Sequence, residues 1–96
     1  MTKNYILKTL NEFKPILQRK YKIKKIGIFG SYSINKQNKS SDIDIFVEFK
    51  EKNFENIVGL WNFLENKFNK KIDLIYQHKN SNLNIIENIK KRVIYG

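Results

Sequence analysis

Cysteine is absent from the 96 residues, which excludes disulfides and thiolate metal sites and leaves a reducing compartment open to the chain. Histidine occurs once, as His78, so a histidine-rich zinc site is excluded as well. Any metal must then be held by oxygen, which points to magnesium or manganese. Arginine is almost as scarce, with Arg19 and Arg92 set against 17 lysines. No apolar run is long enough to cross a bilayer. Met1 to Leu10 breaks up its apolar residues with Lys3, Asn4 and Lys8, unlike a secretory signal. A cytoplasmic protein without membrane contact is expected.

What is present suits one small globular domain over residues 1–96. The chain is 41% apolar and 14% aromatic, too apolar for disorder and long enough for a single core. A formal charge of +10 suggests loose attraction to anions. It does not by itself indicate a nucleic-acid reader. Lysine, asparagine and isoleucine make up 45 of the 96 residues, a bias expected of an AT-rich genome. Specific readers of phosphates and bases also favour the arginine fork. Nucleic acid is therefore not expected as the partner; attraction of a triphosphate is the more modest reading.

Hydrophobic periodicity divides the chain. Ile6, Leu10, Phe13, Leu17 and Tyr21 form a helical stripe over residues 3 to 21, which Pro15 should kink or divide. Lys25 to Phe29 reads as a buried strand that stops at Gly30, followed by a short helical turn and a polar loop. From Ser41 to Phe49 the residues alternate: Ile43, Ile45, Val47 and Phe49 point one way, and Asp42, Asp44, Phe46 and Glu48 the other. Residues 54 to 68 form a helix with Phe54, Ile57, Val58, Trp61, Leu64 and Phe68 on one face and Asn53 as N-cap. Lys71 to Tyr76 is a strand in which Asp73 faces away from Ile72, Leu74 and Tyr76. A last helix runs from about Asn82 to Lys91, and Arg92 to Tyr95 forms a closing strand. The expected fold is α/β or α+β, a short mixed sheet flanked by helices.

Three carboxylates fall where packing does not require them. Asp42 and Asp44, two apart on one strand, project from the same face. Their charges repel unless a cation lies between them, and a divalent ion would use both as ligands. Asp73 completes the cluster if its strand lies alongside, an arrangement suited to two-metal phosphoryl transfer. Taken alone, Asp42 and Asp44 would be the wet side of an amphipathic strand. Gly30-Ser31, taken alone, would be only a turn, although a turn after a strand exposes N–H groups to an anion and a small residue lets a phosphate approach. Together they supply a phosphate cradle and a metal cluster, the two halves of a nucleotide site. Other residues read more plainly. Trp61 is core, His78 a solvated loop residue, and Lys70 and Lys71 a charged strand entrance. Tyr32 either contacts a base or packs over its loop.

Gly30-Ser31, ten intervening residues and then Asp42-Ile43-Asp44 resemble the Gly-Ser-x10-Asp-x-Asp signature of the DNA polymerase β-like nucleotidyltransferases. The flanking Ile28 to Tyr32, Ser41 to Phe49, Lys71 to Ile75 and Arg92 to Tyr95 are similar to the minimal nucleotidyltransferase (MNT) group, so the resemblance covers nearly the whole chain. It implies a nucleotidyltransferase fold in which Gly30 and Ser31 hold the triphosphate. Asp42 and Asp44 would bind two magnesium ions. Asp73 would bind the catalytic ion and help deprotonate the acceptor. Members of the group often have Ala-Arg-Gly where this chain has Ser33-Ile34-Asn35; Asn35 tolerates positive φ, but Ile34 brings no charge to a phosphate.

Small MNT proteins resemble the antitoxins of HEPN–MNT toxin–antitoxin pairs. That implies ATP as donor, a tyrosine hydroxyl of a HEPN-domain ribonuclease as acceptor, and a HEPN protein as partner. Two alternatives stand beside it: an antitoxin that neutralises by contact alone, and a transferase acting on a small molecule of the aminoglycoside kind. Symmetric self-association is compatible with the chain, although no residue specifies an interface.

Overall fold

The computed structural model describes residues 1–38, 40–77 and 82–96. Helix α1 (Lys3–Tyr21) is capped by Thr2, whose hydroxyl accepts from the Tyr5 amide at 3.1 Å. Pro15 does not divide it. The proline removes an N–H that would have bonded to Asn11, but both residues are exposed and water can satisfy the freed carbonyl. Strand β1 (Ile23–Phe29) leads into a 3₁₀ turn (Gly30–Tyr32), then strand β2 (Ile43–Phe49). Helix α2 (Phe54–Phe68) starts at Asn53, which accepts from the Asn56 amide at 2.8 Å. Strand β3 (Ile72–Ile75), helix α3 (Leu83–Arg92) and strand β4 (Ile94–Tyr95) complete the chain. Arg92 therefore closes a helix instead of opening the last strand. Among the described residues, no helix is long and apolar enough to cross a membrane.

The four strands form one mixed sheet in the order β3-β2-β1-β4. Strand β1 runs antiparallel to β2 and β4, while β2 and β3 are parallel and α2 crosses between them. The main core lies on one face, where Ile6, Leu10 and Leu17 of α1 and Leu60, Leu64 and Phe68 of α2 cover isoleucines of β1 and β2. The register slips between Ile23 and Lys25, which lets Ile23 join Ile26 and Ile28 in that core despite its odd spacing. On α2 the buried line runs through Leu60 rather than Phe54, which is 80% exposed at the helix start. Trp61 packs against the core as expected and donates its indole N–H to the Ile72 carbonyl at 2.8 Å.

The second face departs from the simple alternation of β2. Phe46 shares that face with Asp44 yet is completely buried. Helix α3 lies over it: Lys90 pairs with Glu48 at 3.5 Å, and Ile86 is buried. Helix α3 thus covers part of the second face, while Lys25 and Asp73 remain exposed and Asp44 half-buried. Tyr32 is buried within the main core, so of its two readings packing holds. His78 lies outside the described residues.

Candidate active site

Three strand ends meet at one edge of the molecule. Antiparallel pairing sets Asp44 opposite Phe29, so Gly30 comes immediately beyond it. Parallel pairing sets Asp44 opposite Asp73. These two and Asp42 are the chain's only aspartates, and sheet topology gathers all three at the open end of the sheet.

Gly30 occupies the left-handed region at φ 72°, a conformation that favours glycine. Its carbonyl accepts from both the amide and the hydroxyl of Ser33, at 3.1 and 2.7 Å, which locks the turn. Lys36 N donates to the Ser31 carbonyl at 2.9 Å, and Asn35 takes the positive φ, 58°, that its side chain tolerates. A Cβ on Gly30 would run into Asp44 Oδ2, so the bare backbone here is what permits turn and carboxylate to sit together. Ser31 is half-buried beside them, and its hydroxyl makes no hydrogen bond among the described residues. Lys70 donates to the Ser41 carbonyl at 3.2 Å, which anchors the residue before Asp42.

Burial holds the Asp44 carboxyl above the ordinary carboxylate range. The nearby charges of Asp73 and Asp42 and a side-chain hydrogen bond with Asp73 push it the same way. Strand β2 begins at Ile43, so Asp42 stands just ahead of the strand rather than within it. Among the described residues, no three acidic or histidine side chains converge into a ready-made metal cage. Asp44 and Asp73 form the close pair, and Asp42 acts on Asp44 through its charge. This donor set is all oxygen and mutually repelling, which fits a hard divalent cation.

The repulsion has a thermodynamic sign. Asp44 loses its proton more readily in the unfolded chain than in the folded one. The stability tied to its protonated form is therefore present at low pH and lost as pH rises through the raised value. Without divalent cations, Asp44→Asn is expected to raise the melting temperature by a few degrees at neutral pH, with the gain disappearing in acid. Thermal melts in chelator at both pH values check this, and a lower melting temperature at neutral pH would contradict it.

Beyond the aspartates and the Gly-Ser turn, the structure brings Asn88 and Arg92 of α3 next to Gly30, across a cleft that also exposes Ile34. Periodicity marks α3 as a helix, but nothing in its sequence indicates which segment it faces.

The polymerase beta nucleotidyltransferase family model matches residues 11–96. A protein of Methanocaldococcus jannaschii named as a candidate protein adenylyltransferase is 39% identical over 99 residues, which take in 93% of this chain and 99% of that protein. The solved structure of a candidate minimal nucleotidyltransferase superposes with a TM-score of 0.81 at 19% identity, covering 98% of this chain and 95% of that one. A structure of tri-AMPylated Shewanella oneidensis HEPN toxin in complex with MNT antitoxin matches with a TM-score of 0.58 at 25% identity, covering 91% of this chain and 69% of that one. The chain belongs to the polymerase β family of nucleotidyltransferases.

Proposed function

We propose that residues 1–96 act as one transferase unit that moves AMP from ATP onto a tyrosine hydroxyl of a HEPN-domain toxin, and so serve as its antitoxin in the cytoplasm. The observation that carries the chemistry is the Asp44–Asp73 pair set directly against the Gly30 turn. The partner is supported by the similarity to the complex of a tri-AMPylated HEPN toxin with an MNT antitoxin. The acceptor and donor classes are supported by the relative named as a candidate protein adenylyltransferase.

Gly30 and Ser31 receive the triphosphate through backbone N–H groups, with the Ser31 hydroxyl as a further donor. Asp42 and Asp44 would hold two magnesium ions, and Asp73 would help hold the catalytic one. Bound magnesium supplies charge neutralisation at the phosphate oxygens and makes the acceptor hydroxyl more acidic. The tyrosine oxygen forms a bond to the α-phosphorus while the bond from that phosphorus to the bridging oxygen breaks and pyrophosphate departs. A carboxylate oxygen of Asp73 takes the hydroxyl proton. The residues thus act by position and charge, with no covalent intermediate on the protein.

The test is ATP labelled at either the α- or the γ-phosphate, incubated with this protein, magnesium and a HEPN-domain toxin. Label from the α-position is expected on the partner and label from the γ-position in pyrophosphate. Label from the γ-position on the partner would indicate phosphorylation and overturn the proposal.

A further inference from the structure

Strand β3 carries Asp73 on a slender support. It has four residues, lies at the edge of the sheet and pairs only with β2. Asp73 is exposed, so core packing does not fix its carboxylate. The placement of that group opposite Asp44 has to come from the backbone beneath it.

The residue before Asp73 is held from three directions. The Ile43 amide donates to the Lys71 carbonyl at 3.1 Å, so Lys71 turns its polar backbone groups toward β2. Successive residues of a strand point these groups to opposite edges, so those of Ile72 face outward. An edge strand ordinarily leaves such groups to water or to another chain. Here α2 takes both. The Trp61 indole N–H donates to the Ile72 carbonyl at 2.8 Å, and the Glu65 carboxylate accepts from the Ile72 amide at 3.1 Å. Trp61 and Glu65 stand one turn apart on α2, so one face of the helix presents them together. The Ile72 side chain meanwhile is buried in the core. Sheet, helix and core thus pin the chain just where it enters Asp73. Trp61, Glu65, Ile72 and Asp73 also line one cleft, which puts the clamp beside the carboxylate.

We infer that Trp61 and Glu65 are positioning residues that hold Asp73 opposite Asp44 by clamping both backbone groups of Ile72. The inference rests on the nucleotidyltransferase reading proposed above and adds the residues that keep the third carboxylate in place. Glu65 serves as a hydrogen-bond acceptor in this role, so an uncharged amide oxygen can replace it.

The test compares three variants of the full chain, with circular dichroism confirming the fold. Trp61→Phe keeps a ring but loses the N–H, Glu65→Ala loses the acceptor, and Glu65→Gln keeps an acceptor oxygen. Amide hydrogen exchange followed by NMR is read first, without metal or substrate. In Trp61→Phe and Glu65→Ala the amides of Ile72 and Asp73 should exchange about tenfold faster, while that of Ile28 in β1 keeps its rate. Transfer from ATP to a HEPN-domain toxin is measured next. In the same two variants kcat should fall about 10- to 100-fold, the scale for groups that orient a ligand from behind. The KM for ATP should stay near wild type because the Gly30 turn is untouched, and the magnesium concentration for half-maximal rate should rise. Glu65→Gln should restore most of the rate and of the protection from exchange. Faster exchange with an unchanged kcat and magnesium requirement would mean that the clamp only seals the sheet edge. That result would overturn the inference and leave the transferase reading intact, as would unchanged exchange or a loss in Glu65→Gln as deep as in Glu65→Ala. Wild-type protein that transfers no nucleotide would instead remove the transferase reading, and the inference with it.

Discussion

An Asp42→Ala/Asp44→Ala variant is expected to lose nucleotidyl transfer by at least about 10³-fold, the scale seen when preorganised charge stabilisation is removed from an active site. The expectation comes from placement. Both carboxylates are half-buried at the open end of the sheet and contribute nothing to the core. Burial and like charge hold Asp44 above its ordinary range, a cost that a purely structural residue would have no reason to carry. Loss of activity should therefore come without loss of fold, and the variant should melt no lower than the wild type in chelator. Because both aspartates lie outside the core and the fold is kept, the variant should also still bind the HEPN partner. Transfer rates within about tenfold of wild type would mean that these carboxylates do not hold the catalytic ions.

Replacing Gly30 with alanine is expected to cost about 10²-fold in transfer, the penalty for displacing reacting groups by roughly an ångström. Two effects coincide. The φ of 72° is unfavourable for any residue with a Cβ, by about 1–2 kcal/mol. The added methyl would also meet Asp44 Oδ2, so either the turn or the carboxylate must move. Asn35→Gly provides the control, since Asn35 also has positive φ, at 58°, but is exposed. That change should leave the rate near wild type. Equal losses in Gly30→Ala and Asn35→Gly would show that any change in the loop's backbone freedom, rather than contact with Asp44, governs the site. Steady-state rates for the three proteins decide between these.

How far the site was legible in the sequence depends on distance along the chain. The Gly-Ser turn and the Asp42–Asp44 pair are local patterns, and their spacing alone sets the residue types required. The bounds of α2 were legible for the same reason, because Asn53 caps it and its apolar stripe is regular. Asn35 tolerates positive φ by residue type, and it has that conformation. Asp73 was a conditional expectation, since only the parallel pairing of β2 and β3 brings it opposite Asp44.

What escaped was decided by tertiary contact. Phe46 alternates like a solvent-facing residue, yet α3 covers it, and no local signal shows which face a distant helix will choose. Pro15 predicts an interruption by propensity, but the break in hydrogen bonding faces water and the helix continues. Phe54 belongs to the apolar stripe of α2 by periodicity, but it sits at the helix's first turn and stays exposed. The cleft joins Ile34 to Ile85, residues from opposite halves of the chain, and only the folded arrangement reveals it.

The central claim is that this chain adenylylates a HEPN-domain partner. Intact-mass spectrometry of that partner, after incubation with this protein, ATP and magnesium, tests it most directly, with the Asp42→Ala/Asp44→Ala variant in parallel. A mass increase of one or more AMP units, absent with the variant, is the predicted result. An unmodified partner that both proteins nevertheless bind and silence would contradict the claim and identify neutralisation by contact alone.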